Sequence, residues 1–155
     1  MLFIATTFTG LSAGLFYAWT VSVIPGTRKV VDITYLETMQ SINREILNPA
    51  FFLIYFGTLI TLVISSFQQH GSGTTFWVVL GAMLTYLLGT FGVTALGNVP
   101  LNNALEALNL HDMTGPQLSD FRQQYESQWN RWHFIRTIFS VISFLLVLMA
   151  NYFKS

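Results

Sequence analysis

The stretch LFIATTFTGLSAGLFYAWTVSVI, residues 2–24, contains no charged side chain. As a helix it extends about 34 Å, enough to cross the roughly 30 Å hydrocarbon layer of a bilayer. No Lys or Arg precedes it, and it outruns the apolar core of a signal peptide, so it reads as a retained membrane span. Pro25-Gly26 is expected to stop it. Within it Thr6, Gly10, Gly14 and Ala18 recur every fourth residue, a stripe of small side chains that lets a neighbouring helix come close.

Three further apolar runs follow, at 50–67, 76–99 and 137–153. Asn48-Pro49 opens the second span, with proline where its missing N–H does no harm. The segment QQHGSGTT, 68–75, is a short turn that makes spans two and three antiparallel neighbours. Gly81, Thr85 and Gly89 repeat the close-packing stripe in span three, and Pro100 is expected to bend or end that helix, with 102–108 adding an extramembrane turn or two. With 155 residues there is room for a single integral membrane domain and little else. Only 9% of residues are charged and the mean hydropathy is +0.52, whereas soluble domains carry about 25% charged residues. Zero net charge leaves no basic field to recruit nucleic acid. The lack of cysteine excludes disulfides, thiolate catalysis and cysteine-ligated metals.

Two polar segments interrupt the spans. In 28–47, Arg28, Lys29, Asp32, Glu37, Gln40, Asn43, Arg44 and Glu45 alternate with Val31, Tyr35, Leu36, Met39, Ile42 and Ile46, an amphipathic helix at the interface or over the bundle mouth. Residues 117–136 are polar with helical spacing, with Thr114 or Ser119 as N-cap, and run without a breaker into the last span. The expected fold is therefore all-α: a four-helix transmembrane bundle, an amphipathic helix after span one, and a long extramembrane extension of span four. Basic residues set the orientation. Arg28, Lys29, Arg44, Arg122, Arg131 and Arg136 flank one side and only Lys154 the other, so the positive-inside tendency places both termini outside the cytoplasm, in the plasma (inner) membrane.

The densest chemical signal is Trp129-Asn130-Arg131-Trp132-His133-Phe134-Ile135-Arg136. Trp129, Trp132, His133 and Arg136 stand at i, i+3, i+4 and i+7 and share a helix face. One reading is an interfacial anchor at headgroup depth. The other is a functional face, because an ionisable residue at the edge of an apolar run usually turns to a bundle interior or cavity. A second signal is Asn98 and Asn102 around Pro100, whose carboxamides can orient a carbonyl, a water or another side chain, or merely end the helix. Asp32 and Glu37 are the acids near span one, available to Arg136 and His133 or to solvent, Arg28 and Arg44. Histidines at 70, 111 and 133 show no HxH or HxxxH spacing; the sequence suggests no cofactor and leaves a metal ion open.

Taken in order, Pro25-Gly26, Met39-Gln40-x-Ile42-Asn43-Arg44 with Asn48-Pro49, Asn98-x-Pro100-Leu101-Asn102 and Trp129-x-x-Trp132-His133-x-x-Arg136-Thr137 resemble the pattern of the DUF1772, or anthrone oxygenase-like, membrane family. The resemblance implies a four-span helical protein and, for characterised fungal relatives, an oxygenase acting on polyketide anthrones without an evident organic cofactor. It maps polar site positions onto Asn98, Asn102, His133 and Arg136, with Asn43 and Arg44 less securely placed.

These readings converge on a membrane-embedded oxidoreductase that takes a hydrophobic phenol, anthrone or quinone-type small molecule from the lipid bilayer. His133 would remove a proton, Arg136 would stabilise the anion, Asn98 and Asn102 would orient it, and Trp129, Trp132, Asn43 and Arg44 would bind substrate. The rival reading is a non-catalytic accessory subunit of a larger membrane complex, since short loops and small-residue stripes suit helix packing equally; the protein partner is left open between such a complex and a homo-oligomer.

Overall fold

A computed structural model describes residues 1–154, and among them there is no strand. Four helices are long and apolar enough to cross a membrane: α1 (Leu2–Thr27), α3 (Pro49–Gln68), α4 (Thr74–Glu106) and α5 (Gly115–Lys154). Between the first two lies the amphipathic α2 (Asp32–Glu45). Each spanning helix meets two others: α1 packs on α3 and α5, and α4 on the same two helices. The bundle is thus closed, and the termini share the end opposite α2.

Local chemistry explains the boundaries. Asn48 caps α3 by accepting from the Phe51 amide at 3.0 Å. The α3–α4 turn uses Gly71 and Gly73 at φ +86° and +57°, where a Cβ would be strained. At the start of α5, Gln117 reaches back to the Thr114 amide at 2.8 Å, so Thr114, not Ser119, flanks the helix start.

Pro25-Gly26 stands in the last turn of α1, and Pro100 lies within α4 without ending it. Helix α1 continues to Thr27 and α4 to Glu106. Each proline follows a π-helical stretch, Trp19–Val23 and Thr94–Asn98 respectively. A proline ring collides with the carbonyl four residues back, here Val21 and Leu96, and both lie inside those widened turns. A third π-helical stretch, Tyr86–Gly92, completes an irregular half of α4.

The packing stripes are uneven. A Cβ on Gly89 would lie 2.0 Å from Cγ of Phe139, and one on Gly97 2.6 Å from the Trp132 indole, so these two glycines seat aromatic rings of α5. Gly10 underlies Phe144, whereas Gly14 meets nothing within 4 Å.

Two apolar clusters bracket the interior. Leu2, Leu62, Val79, Ala82, Tyr86 and Val147 pack near the termini; Tyr35, Leu36, Met39, Leu105, Tyr125 and Trp129 pack where α2 covers the other end. Helix α2 therefore lies over the bundle mouth. Arg122 fastens it, donating to the Val30 carbonyl at 2.7 Å and to Asp32 at 2.9 Å while its guanidinium sits 4.5 Å above the Tyr35 ring. Burial, reinforced by Glu126, pushes the Tyr35 phenol above its ordinary value, so that ring is neutral under the cation. Gln40 adds bonds to the Leu105 and Leu108 carbonyls at the end of α4.

Candidate functional site

Between the two clusters lies a polar layer. Helical spacing carries Trp129, His133 and Arg136 of α5 to the inside, where they are 4%, 0% and 8% exposed. Trp132 parts from them. At 36% exposure it packs on Gly97 at the bundle's flank and does not line the cavity beside the other three.

Donor and acceptor chemistry fixes the state of His133. Arg136 donates from Nε and Nη2 to Nδ1 of the imidazole at 3.2 and 3.0 Å. A guanidinium can only donate, so Nδ1 carries a lone pair and the ring proton sits on Nε2. From there it faces the Thr20 hydroxyl at 3.0 Å and the Phe16 carbonyl at 3.2 Å. Both acceptors belong to α1, Phe16 just before the π-helical stretch and Thr20 within it. His133 is a neutral imidazole with its basic nitrogen covered by Arg136.

Arg136 itself has no carboxylate partner among the described residues. Its Nη1 donates to Thr94 Oγ1 at 3.3 Å, and its charge rests 4.7 Å from the Phe16 ring centre and 5.2 Å from that of Trp129. The acids that sequence reasoning offered go elsewhere: Asp32 pairs with Arg122 and Glu37 with His111. Those partners are extramembrane, because α2 lies across the bundle end and not down its axis.

Asn98 and Asn102 of α4 both act on Trp129. Asn98 Nδ2 donates to the Trp129 carbonyl at 3.1 Å, leaving its buried Oδ1 without a protein partner. Asn102 Oδ1 accepts from Trp129 Nε1 at 2.8 Å and from the Tyr125 hydroxyl at 3.3 Å. The indole so held stacks on His133 with ring centres 5.1 Å apart and planes 8° apart, and Trp19 leans on it at 5.8 Å.

A cavity of about 100 Å³ opens beside this assembly. Its walls are Leu15, Phe16 and Trp19 of α1, Ile42 and Asn43 of α2 with Ile46 and Leu47 just beyond it, Phe51 of α3, Thr94, Val99 and Asn102 of α4, and Trp129, His133 and Arg136 of α5. Asn43 is thus brought to the site; Arg44 is not, being exposed and paired with Glu106 at 2.8 Å. Asn98 lies behind Trp129, outside the wall. No group of three or more His, Asp or Glu side chains gathers among the described residues.

Phe16, Trp19, Thr20, Thr94 and Tyr125 join the site without having stood out in the sequence. The available signal was faint: Trp19 is the one tryptophan of the first apolar run.

No curated protein and no solved structure matches the chain. The anthrone oxygenase family model matches residues 50–146, a stretch that contains Asn98, Asn102, Trp129, His133 and Arg136 and leaves Asn43 before it. With well over half of the chain matched, this four-span membrane protein belongs to the anthrone oxygenase family.

Proposed function

We propose that the chain is a membrane-embedded oxidoreductase of the oxygenase kind, acting on a flat hydrophobic phenol, anthrone or quinone-type molecule held against Trp129. One observation carries the proposal: a buried guanidinium without a carboxylate, resting on a histidine lone pair at the edge of an aromatic cavity. A buried cation without a carboxylate partner favours a ligand that brings negative charge. The surrounding rings favour one that is flat and apolar.

The chemistry follows from the two nitrogens of His133. A substrate oxygen that takes the N–H groups of Arg136 uncovers Nδ1, and the imidazole then accepts the proton of an acidic C–H. Arg136 stabilises the enolate so formed. The electron-rich carbon attacks dioxygen, a C–O bond forms, and the peroxide anion takes the proton back from His133; the hydroperoxide then loses its remaining C–H proton and hydroxide, together one water, as the O–O bond breaks to leave a carbonyl. A CH₂ group and O₂ become C=O and H₂O: carbon gives four electrons, and the two oxygen atoms take them. Asn98 and Asn102 contribute by fixing Trp129, the platform on which the ring lies.

This reading places the site at the cytoplasmic end of the bundle in the plasma membrane, reached from the lipid. The test is oxygen uptake by the purified protein with anthrone- or hydroquinone-like compounds. His133→Ala and Arg136→Ala are each expected to lower turnover at least about 100-fold; normal turnover in both removes the proposed site.

A further inference from the structure

The cavity has a second polar end, away from Arg136, and its donor and acceptor pattern is fixed by a chain of hydrogen bonds. The chain begins at Trp129 Nε1, which can only donate, so Asn102 must present Oδ1 to it. The same oxygen meets the Tyr125 hydroxyl at 3.3 Å, so Tyr125 spends its one proton there. The phenol oxygen can then only accept from Asn43, whose Nδ2 stands 3.4 Å away. Two amide groups are left over: Asn102 Nδ2, a donor, and Asn43 Oδ1, an acceptor. Neither has a protein partner among the described residues, and both side chains line the cavity.

We infer that Asn102 and Asn43 form a subsite that selects a hydroxyl on the substrate, beyond the Trp129 indole from the oxygen held by Arg136. The inference rests on the proposed function for its flat, apolar ligand. A hydroxyl gives a proton to Asn43 and accepts one from Asn102. A carboxylate cannot satisfy Asn43, and an ammonium cannot satisfy Asn102. Because Asn43 belongs to α2, half of the subsite arrives with the helix that covers the bundle mouth.

The probes are 2,6-dihydroxyanthraquinone, with oxygens at both ends of the ring system, and 2-hydroxyanthraquinone, which lacks the second hydroxyl. Their affinities for the full chain in detergent are read by quenching of tryptophan fluorescence. Wild type is expected to bind the dihydroxy compound about tenfold more tightly, the worth of one good hydrogen-bonded group. Asn43→Leu should bring the ratio close to one, and so should Tyr125→Phe, which releases Asn43 to turn its amide. Each ratio compares two ligands in one preparation, so any misfolded fraction cancels. Equal affinities in wild type, or a tenfold ratio that survives in Asn43→Leu, overturn the subsite alone. If neither compound quenches, the subsite and the proposed function fall together. A ratio lost in the variants of a protein that consumes no oxygen with the corresponding anthrone upholds the subsite and removes the oxygenase chemistry.

Discussion

Arg136 carries a full charge among neutral neighbours, and that has opposite consequences for stability and for function. Removing one partner of a buried ion pair is severe because the other charge is stranded. Here no carboxylate would be stranded; only the His133 lone pair and the Thr94 hydroxyl lose a donor. Arg136→Met is therefore expected to leave the thermal midpoint in detergent unchanged or higher, while oxygen uptake falls at least about 100-fold. A midpoint lowered by the equivalent of more than about 3 kcal/mol would mark the guanidinium as a structural member instead. Arg136→Lys should not restore activity, since an ammonium cannot engage Nδ1 through a two-pronged fork or lie flat on Phe16. The inward face was legible from the i, i+4, i+7 spacing of Trp129, His133 and Arg136. Trp132, three residues from Trp129, falls to the edge of that face, and only the missing side chain of Gly97 decides where its ring goes. Thr20 and Thr94 were not legible, because each donates to its own preceding turn as hydroxyls in apolar helices usually do, and only the free acceptor side of the oxygen reaches the site.

The elements depart from regular geometry where they meet the site. Two π-helical stretches, each just before a proline, keep α1 and α4 running past the points where Pro25 and Pro100 would break them. Sequence spacing marks the prolines and the added turns after Pro100 but not the widened turns, which depend on what packs alongside. The irregular half of α4 is also where Phe139 of α5 fills the space above Gly89. Because a Cβ there would approach Cβ as well as the ring of Phe139, a rotamer change cannot relieve the clash. Gly89→Ala is expected to destabilise the protein by about 1–3 kcal/mol. Adding Phe139→Ala should recover part of the loss, a non-additive pair in thermal melts; additive losses would show that the two residues are not in contact. Helix α2 has a separate fastening. With Arg122 replaced by Leu, the carbonyls of Val30 and Thr27 and the Asp32 carboxylate lose their shared donor. Hydrogen exchange is then expected to rise across 32–45 and to stay unchanged in α3, a pattern that a global loss of stability would not give.

The molecule exposes large apolar side chains over its spans and buries a layer of polar ones between its two apolar clusters. Phe3, Leu53, Trp77, Leu88 and Leu96 are exposed, while Thr9, Ser12, Thr58, Asn98, His133, Ser140 and Ser143 are buried. Composition and run length made this arrangement legible, since a chain with so few charges has nothing else with which to face water. Orientation rests on a thinner balance. Arg136 lies inside the bundle and leaves the tally of flanking charges, yet Arg28, Lys29, Arg44, Arg122 and Arg131 still stand together at the α2 end. Arg122 is spent on α2, and Arg28 and Arg44 face Glu126 and Glu106. Acidic residues weigh little in the positive-inside tendency, so the bias toward a cytoplasmic α2 survives these pairings. The absence of native cysteine gives a clean measurement. Ser41→Cys, on the exposed side of α2, and Ser72→Cys, in the α3–α4 turn, each supply a single thiol at an exposed position. In intact cells a membrane-impermeant maleimide should label Ser72→Cys and spare Ser41→Cys until the membrane is opened. The reverse pattern would put the cavity mouth on the outer side, and the substrate would then have to be met there.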